Sequence, residues 1–490
     1  MSRSYDLAEL QRLDDHCREA AAAIGLDVPE ILFHLAPAER IYDIAARGLP
    51  GRYGHWRFGQ DYEQLTVAHD HGRSRIYELV LNTDPYQAYL LQGNAWVAQL
   101  LVIAHVYGHC WFFEHNQHFA AVDRKFLARS RAAAERFEEY GRRFGGDAVD
   151  DLVDAATALS WHAPHGAPRV TPSAPTDSGC GSRAADAYDD LFPDERDARR
   201  RREQLEQAER AGRFPTEPDE DVLGFVLRHS RHLQDWQRDV LSVVRDEAAY
   251  FAPQRRTKII NEGFATWVHL RLVHAMQLPT ADFVEFDRLN AGVVQPHPGG
   301  LNPYNLGLEL WREVCRLHDE ATPEERQRYP AAGHVDGAAR VLELATVADD
   351  VSLVSEYLTA EVCRRCHLFV RDPEASPGRA AAAAITDADA EAVRTELIQQ
   401  LRTLGVPRLL VTDADRFHAG ALWLEHRHEG IGLDREYAVG TLPLVAGLWG
   451  ASVYVASVEN NGDGHRAVWY RCRPGQECAT VLHEEPAAEP

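Results

Sequence analysis

Residues 86–112 form a run that is apolar almost all round. Its later part continues into LLVIAHVYGHCWFFEHNQHF (100–119), where His105 and His109 stand four residues apart. A helix that is apolar on every side belongs at the centre of a core. A buried imidazole without a hydrogen-bonding partner costs on the order of a few kcal/mol. The chain must therefore fold around this helix and bring polar partners to both histidines from elsewhere. Residues at i and i+4 share a helix face, so the two imidazoles address one point.

The rest of the chain can supply such a core. At 490 residues, two or three domains are expected, and 45% hydrophobic content excludes a globally disordered chain. Lys and Arg number 52 against 75 Asp and Glu, a net charge of −23 that argues against a nucleic-acid or anionic-membrane binder. The eight cysteines are too sparse for a disulfide framework and are read as reduced thiols of a cytoplasmic protein. Cys363-Arg-Arg-Cys366 lacks a matching second pair and lies in helical text, so helix-packing thiols are expected there in preference to a zinc ribbon. The N-terminus reads as an amphipathic helix with no signal-peptide core. No stretch is expected to span a bilayer; LPLVAGLWGASVYVASV (442–458) reads as a helix end, a turn and a strand.

The expected architecture is mainly α. A helical, gluzincin-like N-terminal domain covers 1–370 and a small α+β domain covers 380–480, with a disordered tail at 481–490. Within the first, SRIYELVLNT (74–83) alternates like a strand, and the long helix begins after Asp84-Pro85. Residues 163–220 form a Pro/Ser/Gly-rich loop followed by a charge-dense insertion, in which Arg199–Arg202 reads as a solvated face. Residues 371–379 read as a linker. Beyond it come a helix ending at Gly405 and four strands within PRLLVTDAD, ALWLEHRHE, SVYVASVE and AVWYRCRP.

A second stretch bears on the histidine pair. TKIINEGFATWVH (257–269) places Glu262 inside a helix that Asn261 could cap, with His269 two turns further along one face. The segment N-E-G-F-A resembles the stretch that carries the third zinc ligand of gluzincin aminopeptidases. With His105 and His109 it resembles a two-histidine, one-carboxylate metal site with a position left open. Gly263 and Ala265 are small enough to let two helices approach closely. In the gluzincin pattern H-E-x-x-H a glutamate follows the first histidine; here that residue is Val106. Another group would have to act as base, and Glu114, His115, Glu247 and His269 are the candidates. His269 could equally be a fourth ligand, an orienter of a ligand or a proton carrier. The residues set apart with less weight are His297, the Asn302-Pro-Tyr304-Asn305 turn with Asn302 as helix cap, His426 and His428 on a solvated strand face, and Asp413 with Asp415 at a strand end.

The chain as a whole resembles the SpoVR family (stage V sporulation protein R). The resemblance is carried by HWRFG (55–59), YELVLNTDPYQAYLL (77–91), AHVYGHCWFFEHN (104–116), residues 233–269, NPYNLGLELW (302–311), DDVSLVSEYLT (349–359), LEHRHEGIGLDREYA (424–438) and LWGASVYVASVE (448–459). The chain departs from the family pattern at Trp111, Glu114 and His115, and Phe264 stands where N-E-G-W-A has tryptophan. The resemblance implies a link to spore formation and cortex peptidoglycan, and it brings no settled activity. The function expected is a metal-dependent hydrolase of a peptide or amide bond, with His105, His109 and Glu262 as ligands and a peptidoglycan-related substrate. Zinc is expected as the metal, with iron also compatible with the ligand set. The alternative is a non-catalytic regulatory or scaffold factor in sporulation or envelope assembly whose histidine/glutamate cluster is structural.

Overall fold

The computed structural model describes residues 5–70, 78–162, 213–296, 300–329, 336–368, 387–416, 418–461 and 464–486. Most of the 163–220 insertion, the 371–379 linker, Cys180, His297, residues 74–77 of the first predicted strand and the last four residues lie outside this set.

The elements run in this order. Helix α1 is Leu7–Ala23, strand β1 Ile31–Ala36, α2 Ala38–Arg47, α3 Trp56–Asp70, β2 Glu78–Leu81 and β3 Tyr86–Leu91. The central helix α4 is Trp96–His115, followed by α5 Phe126–Phe144, α6 Gly146–Ser160, α7 Val222–His229, α8 Asp235–Arg256 and α9 Lys258–Ala275. Then come α10 Thr280–Val293, α11 Pro303–Asp319, α12 Pro323–Arg328, α13 Gly337–Val347, α14 Asp350–Tyr357, α15 Ala360–Arg365 and α16 Asp387–Thr403. The chain closes with β4 Leu409–Arg416, β5 Ala421–His426, α17 Arg435–Trp449, β6 Val453–Asn461, β7 Gly464–Cys472 and β8 Thr480–Leu482. The fold is mainly α with an α+β region at its C-terminal end.

The elements group into two compact units, Met1–Glu139 with Tyr250–Gly405, and Tyr140–Ala249 with Val406–Pro490. The first unit holds the large core. Residues Trp96–Phe113 of α4 are all buried, and α9 packs between α4 and α11. Small residues set these approaches. A Cβ on Gly108 would lie 2.5 Å from the Cα of Ala265, and one on Gly263 would lie 2.3 Å from the Cα of Gly307. The backbones of α4, α9 and α11 therefore nearly touch, and only glycine fits at the crossings. Phe264 fills the space beside them, 5.0 Å from the Trp111 ring and 6.1 Å from that of Trp311. Three strands in the order β1-β3-β2 flank this core, β1 parallel and β2 antiparallel to β3.

In the second unit, five strands lie in the order β4-β5-β6-β7-β8. The parallel β5/β6 pair is joined by the crossover helix α17, which Gly450 ends at φ +82°. Ser230 donates to Leu448 O, and Asp219 pairs with Val411, so the 140–249 segment is tied to the C-terminal one.

Three expectations need correction. The run 86–112 is not one helix, because Tyr86–Leu91 alternates as strand β3 before the chain breaks at Gly93-Asn94 and α4 begins at Trp96. Second, α4 meets the length and composition of a bilayer span, although none was expected; it is wholly buried in protein instead. Third, His426 does not face solvent. It is buried on β5, and its Nδ1 is 2.9 Å from Ser457 Oγ. His428 lies beyond the strand. Cys363 and Cys366 are free and buried, as packing thiols should be.

Candidate metal centre

Helix α4 presents His105 and His109 one turn apart, their rings 4.6 Å apart and nearly perpendicular. Helix α9 presents Glu262 across the Gly108/Ala265 crossing. Its Oε2 is 3.5 Å from His105 Nε2 and 3.4 Å from His109 Nε2. These three ligand atoms lie within 4.8 Å of one another. For metal–ligand bonds of about 2.0–2.2 Å, the edge of a tetrahedron is roughly 3.3–3.6 Å. The two Glu262–histidine spacings match that edge and exceed a good hydrogen bond. His105 Nε2 and Glu262 Oε2 are buried without a hydrogen-bond partner. Two acceptors facing each other with no donor between them fit a cation held by both. The group could hold a metal ion.

The far side of each imidazole is engaged. His109 Nδ1 is 3.0 Å from Asn261 Oδ1, so Nδ1 carries the proton and Nε2 keeps its lone pair. His105 is held through a longer chain. Its Nδ1 is 3.1 Å from His269 Nδ1, and His269 Nε2 is 2.9 Å from Asn290 Oδ1. Asn290 Oδ1 can only accept, so His269 donates from Nε2 and accepts at Nδ1. His105 must then donate from Nδ1, which leaves its Nε2 free to ligate. Burial first, and then the neighbouring His105, push His269 well below the ordinary histidine range, which keeps it neutral in this chain. Tyr304, at the start of α11, stacks on His105 with ring centroids 5.8 Å apart.

Asn261 does not cap its helix. Helix α9 begins at Lys258, and the carboxylate of Asp350 accepts from Ile259 N and Ile260 N at 3.0 and 2.9 Å. This frees Asn261, inside the first turns, to reach His109. Asn302 does cap α11, accepting from Tyr304 N at 3.0 Å.

The four residues His105, His109, Glu262 and His269 are thus brought together. Glu114 has other partners: its carboxylate accepts from Tyr86 Oη at 2.8 Å and from Arg124 at 2.6 Å. His115 lies with its ring on Trp111, at 4.3 Å, and its Nδ1 is 2.8 Å from the Trp111 carbonyl. Glu247 is buried on the part of α8 that belongs to the second unit. Val106, in the place of the gluzincin base, is fully buried. In the second unit, Asp413 and Asp415 form a turn, Asp413 accepting from Asp415 N and Asp415 from Gly420 N, each at 2.9 Å. Sequence reasoning missed Asn290, which lies on a separate helix in no recognisable pattern.

The chain is 27% identical over 488 residues to the Escherichia coli (strain K12) protein named "Uncharacterized protein YcgB", covering 96% of this chain and 94% of that one. No solved structure matches the chain. The family described as "SpoVR like protein" matches residues 4–406, a stretch that contains every residue of the centre. The chain belongs to the SpoVR family.

Proposed function

We propose that the chain is a metal-dependent hydrolase of a peptide or amide bond, with His105, His109 and Glu262 as protein ligands. The observation that carries this reading is the pair of buried, partnerless acceptors, His105 Nε2 and Glu262 Oε2, facing one another beside His109 Nε2. Among the described residues three protein ligands are gathered, which is the count of an open site, whereas structural zinc sites close with four. Glu262 retains 19% side-chain exposure while the imidazoles have 2% and 8%, so access lies on the carboxylate side. Zinc suits two imidazoles and a carboxylate, and non-haem iron suits the same set. A divalent ion bound there would polarise a carbonyl and make a bound water acidic near neutral pH.

The chain's own groups set the ligands' protonation. Asn261 holds His109 with its proton on Nδ1, and the His269–Asn290 pair does the same for His105. His269 is in this reading an orienter of a ligand. Tyr304 brings a phenol ring against His105, and it joins Glu114 and His115 as a candidate for moving the proton that Val106 cannot. Family association makes a peptidoglycan-related fragment the first substrate to test, in a cytoplasmic protein.

The second reading is a non-catalytic regulatory or scaffold role in sporulation or envelope assembly, and Val106 favours it. Metal analysis of protein purified without chelator or affinity metal, combined with melting curves, separates the two. In the hydrolase, Glu262→Gln weakens metal binding and abolishes turnover with the fold largely kept. In a structural site, binding energy is folding energy. Chelation of the wild type would then lower the melting temperature sharply, to that of the Gln variant without chelator, and this result would defeat the hydrolase.

A further inference from the structure

The five-stranded sheet of the second unit carries a row of large side chains on one face. Register places them there. Asp413 on β4 pairs with Trp423 on β5, Trp423 with Tyr454 on β6, and Ala456, two residues further along β6, with Trp469 on β7. Paired residues point to the same side of a sheet, and so do residues two apart along a strand. The Trp423 indole stacks on the Tyr454 ring with centroids 4.6 Å apart. Arg416, at the end of β4, lays its guanidinium 3.9 Å from the Trp423 ring centroid. Arg416, Trp423, Ala456 and Trp469, with Arg213, line a pocket of about 400 Å³. That volume falls within the roughly 300–1,000 Å³ of ligand sites.

The chain's own tail already reaches this pocket. Glu485, three residues past β8, lines it too, and its carboxylate accepts from the Arg416 guanidinium at 2.6 Å. Strands β4 and β8 are the two edges of the sheet, with β5, β6 and β7 between them. Neighbouring strands lie about 4.8 Å apart, so the edges are roughly 19 Å from one another. Residues 483–486, which enter no helix or strand, therefore cross the face that carries Trp469, Ala456 and Trp423. The Glu485 side chain is 58% exposed, and an ion pair so open to water contributes little, so the crossing segment is displaceable. A guanidinium laid flat on an indole presents its edge to a planar carboxylate. Asp413 and Glu425 line the same pocket and repel further acids, so Arg416 marks the one position that accepts a carboxylate.

We infer that this face is a docking groove for an extended peptide segment of a partner protein, recognised by one carboxylate at Arg416 with apolar neighbours over the indoles. Glu485 holds the groove in cis until such a segment displaces it. The chain's own segment has the required pattern, since Glu485 is followed by the half-buried Pro486. This inference is independent of the metal-hydrolase reading.

The probe is a fluorescein-labelled, amidated peptide of residues 481–487, VLHEEPA, titrated by anisotropy into the full-length chain. A tethered competitor acts at an effective concentration on the order of millimolar. Removing it in Glu484→Gln/Glu485→Gln should tighten peptide binding about tenfold or more over the wild type. In that background Arg416→Lys keeps the charge and loses the planar fork, and should weaken binding about tenfold. The same peptide with glutamine at both glutamates should not bind, a control that does not depend on how any variant folds. Equal affinity in wild type and double variant, undiminished binding in Arg416→Lys, or equal binding of the glutamine peptide overturns the groove. Free glutamate competing at the peptide's own concentration would make the site one for a small acid. A wild-type dimer that is lost in the double variant would give the groove to a second copy of the chain. Either result overturns a partner segment as its occupant.

Discussion

Both ring nitrogens of His269 are engaged, one by His105 and one by Asn290, so it has none to offer a metal. Its contribution is to decide which nitrogen of His105 carries the proton. His269→Ala should therefore leave the fold in place and lower metal affinity by about 10–100-fold, as loss of an orienting partner does elsewhere. Asn290→Ala should act in the same direction and more weakly. Competition titration against a coloured chelator measures both, and wild-type affinity in His269→Ala would remove the orienting role. The grouping of His105, His109 and Glu262 was legible because helical spacing and one short motif encode it locally. Asn261 was visible but misread: the capping group for its helix is Asp350, about ninety residues away in sequence. Asn290 had no local signature at all, since its meaning comes only from the packing of α10 on α4 and α9.

Among elements, the α4/α9 crossing decides whether the centre exists. Gly108→Ala would set a methyl 2.5 Å from the Ala265 Cα, and the helices must part to admit it. The expected result is a loss of about 1–3 kcal/mol in denaturant unfolding together with weakened metal binding. Unchanged metal affinity would show that the crossing does not set the ligand spacing. A second element-level expectation concerns pH. Thr322 and Glu325 form a capping box on α12, and Arg316 beside Glu325 holds its carboxyl down at about 2. A depressed carboxyl contributes stability that is complete above its unfolded value and is lost as pH falls through the folded one. Glu325→Gln should thus cost roughly 1 kcal/mol at neutral pH, and the gap to wild type should close between about pH 4.5 and pH 2. Urea melts across that range check it. Periodicity found α4 and the four long C-terminal strands; it lost β3 because YQAYLL, alternating and apolar, leads almost directly into a helix that is apolar on all sides.

For the molecule as a whole, a net charge of −23 predicts no appreciable affinity for nucleic acid at about 0.15 M salt, and fluorescence anisotropy with a labelled duplex would expose an error. The grouping of residues 140–249 with 406–490 depends on pairs such as Asp219 with Val411, and no shift in composition announces it. The burial of α4 has a further consequence, in time. His269 follows His105 by 164 residues. At a synthesis rate of about 5–20 residues per second, a twenty-residue oily helix waits roughly 8–30 s on the ribosome before the segment that must cover it is made. During that interval it has the length and apolarity of a membrane span and lacks α9, which packs along it in the folded chain. A nascent chain stalled after residue 257 should therefore be held by chaperones or recovered in aggregates, while one extended past residue 319 should be released soluble. The helix that organises the native core is, for the growing chain, its period of greatest exposure to the rest of the cell.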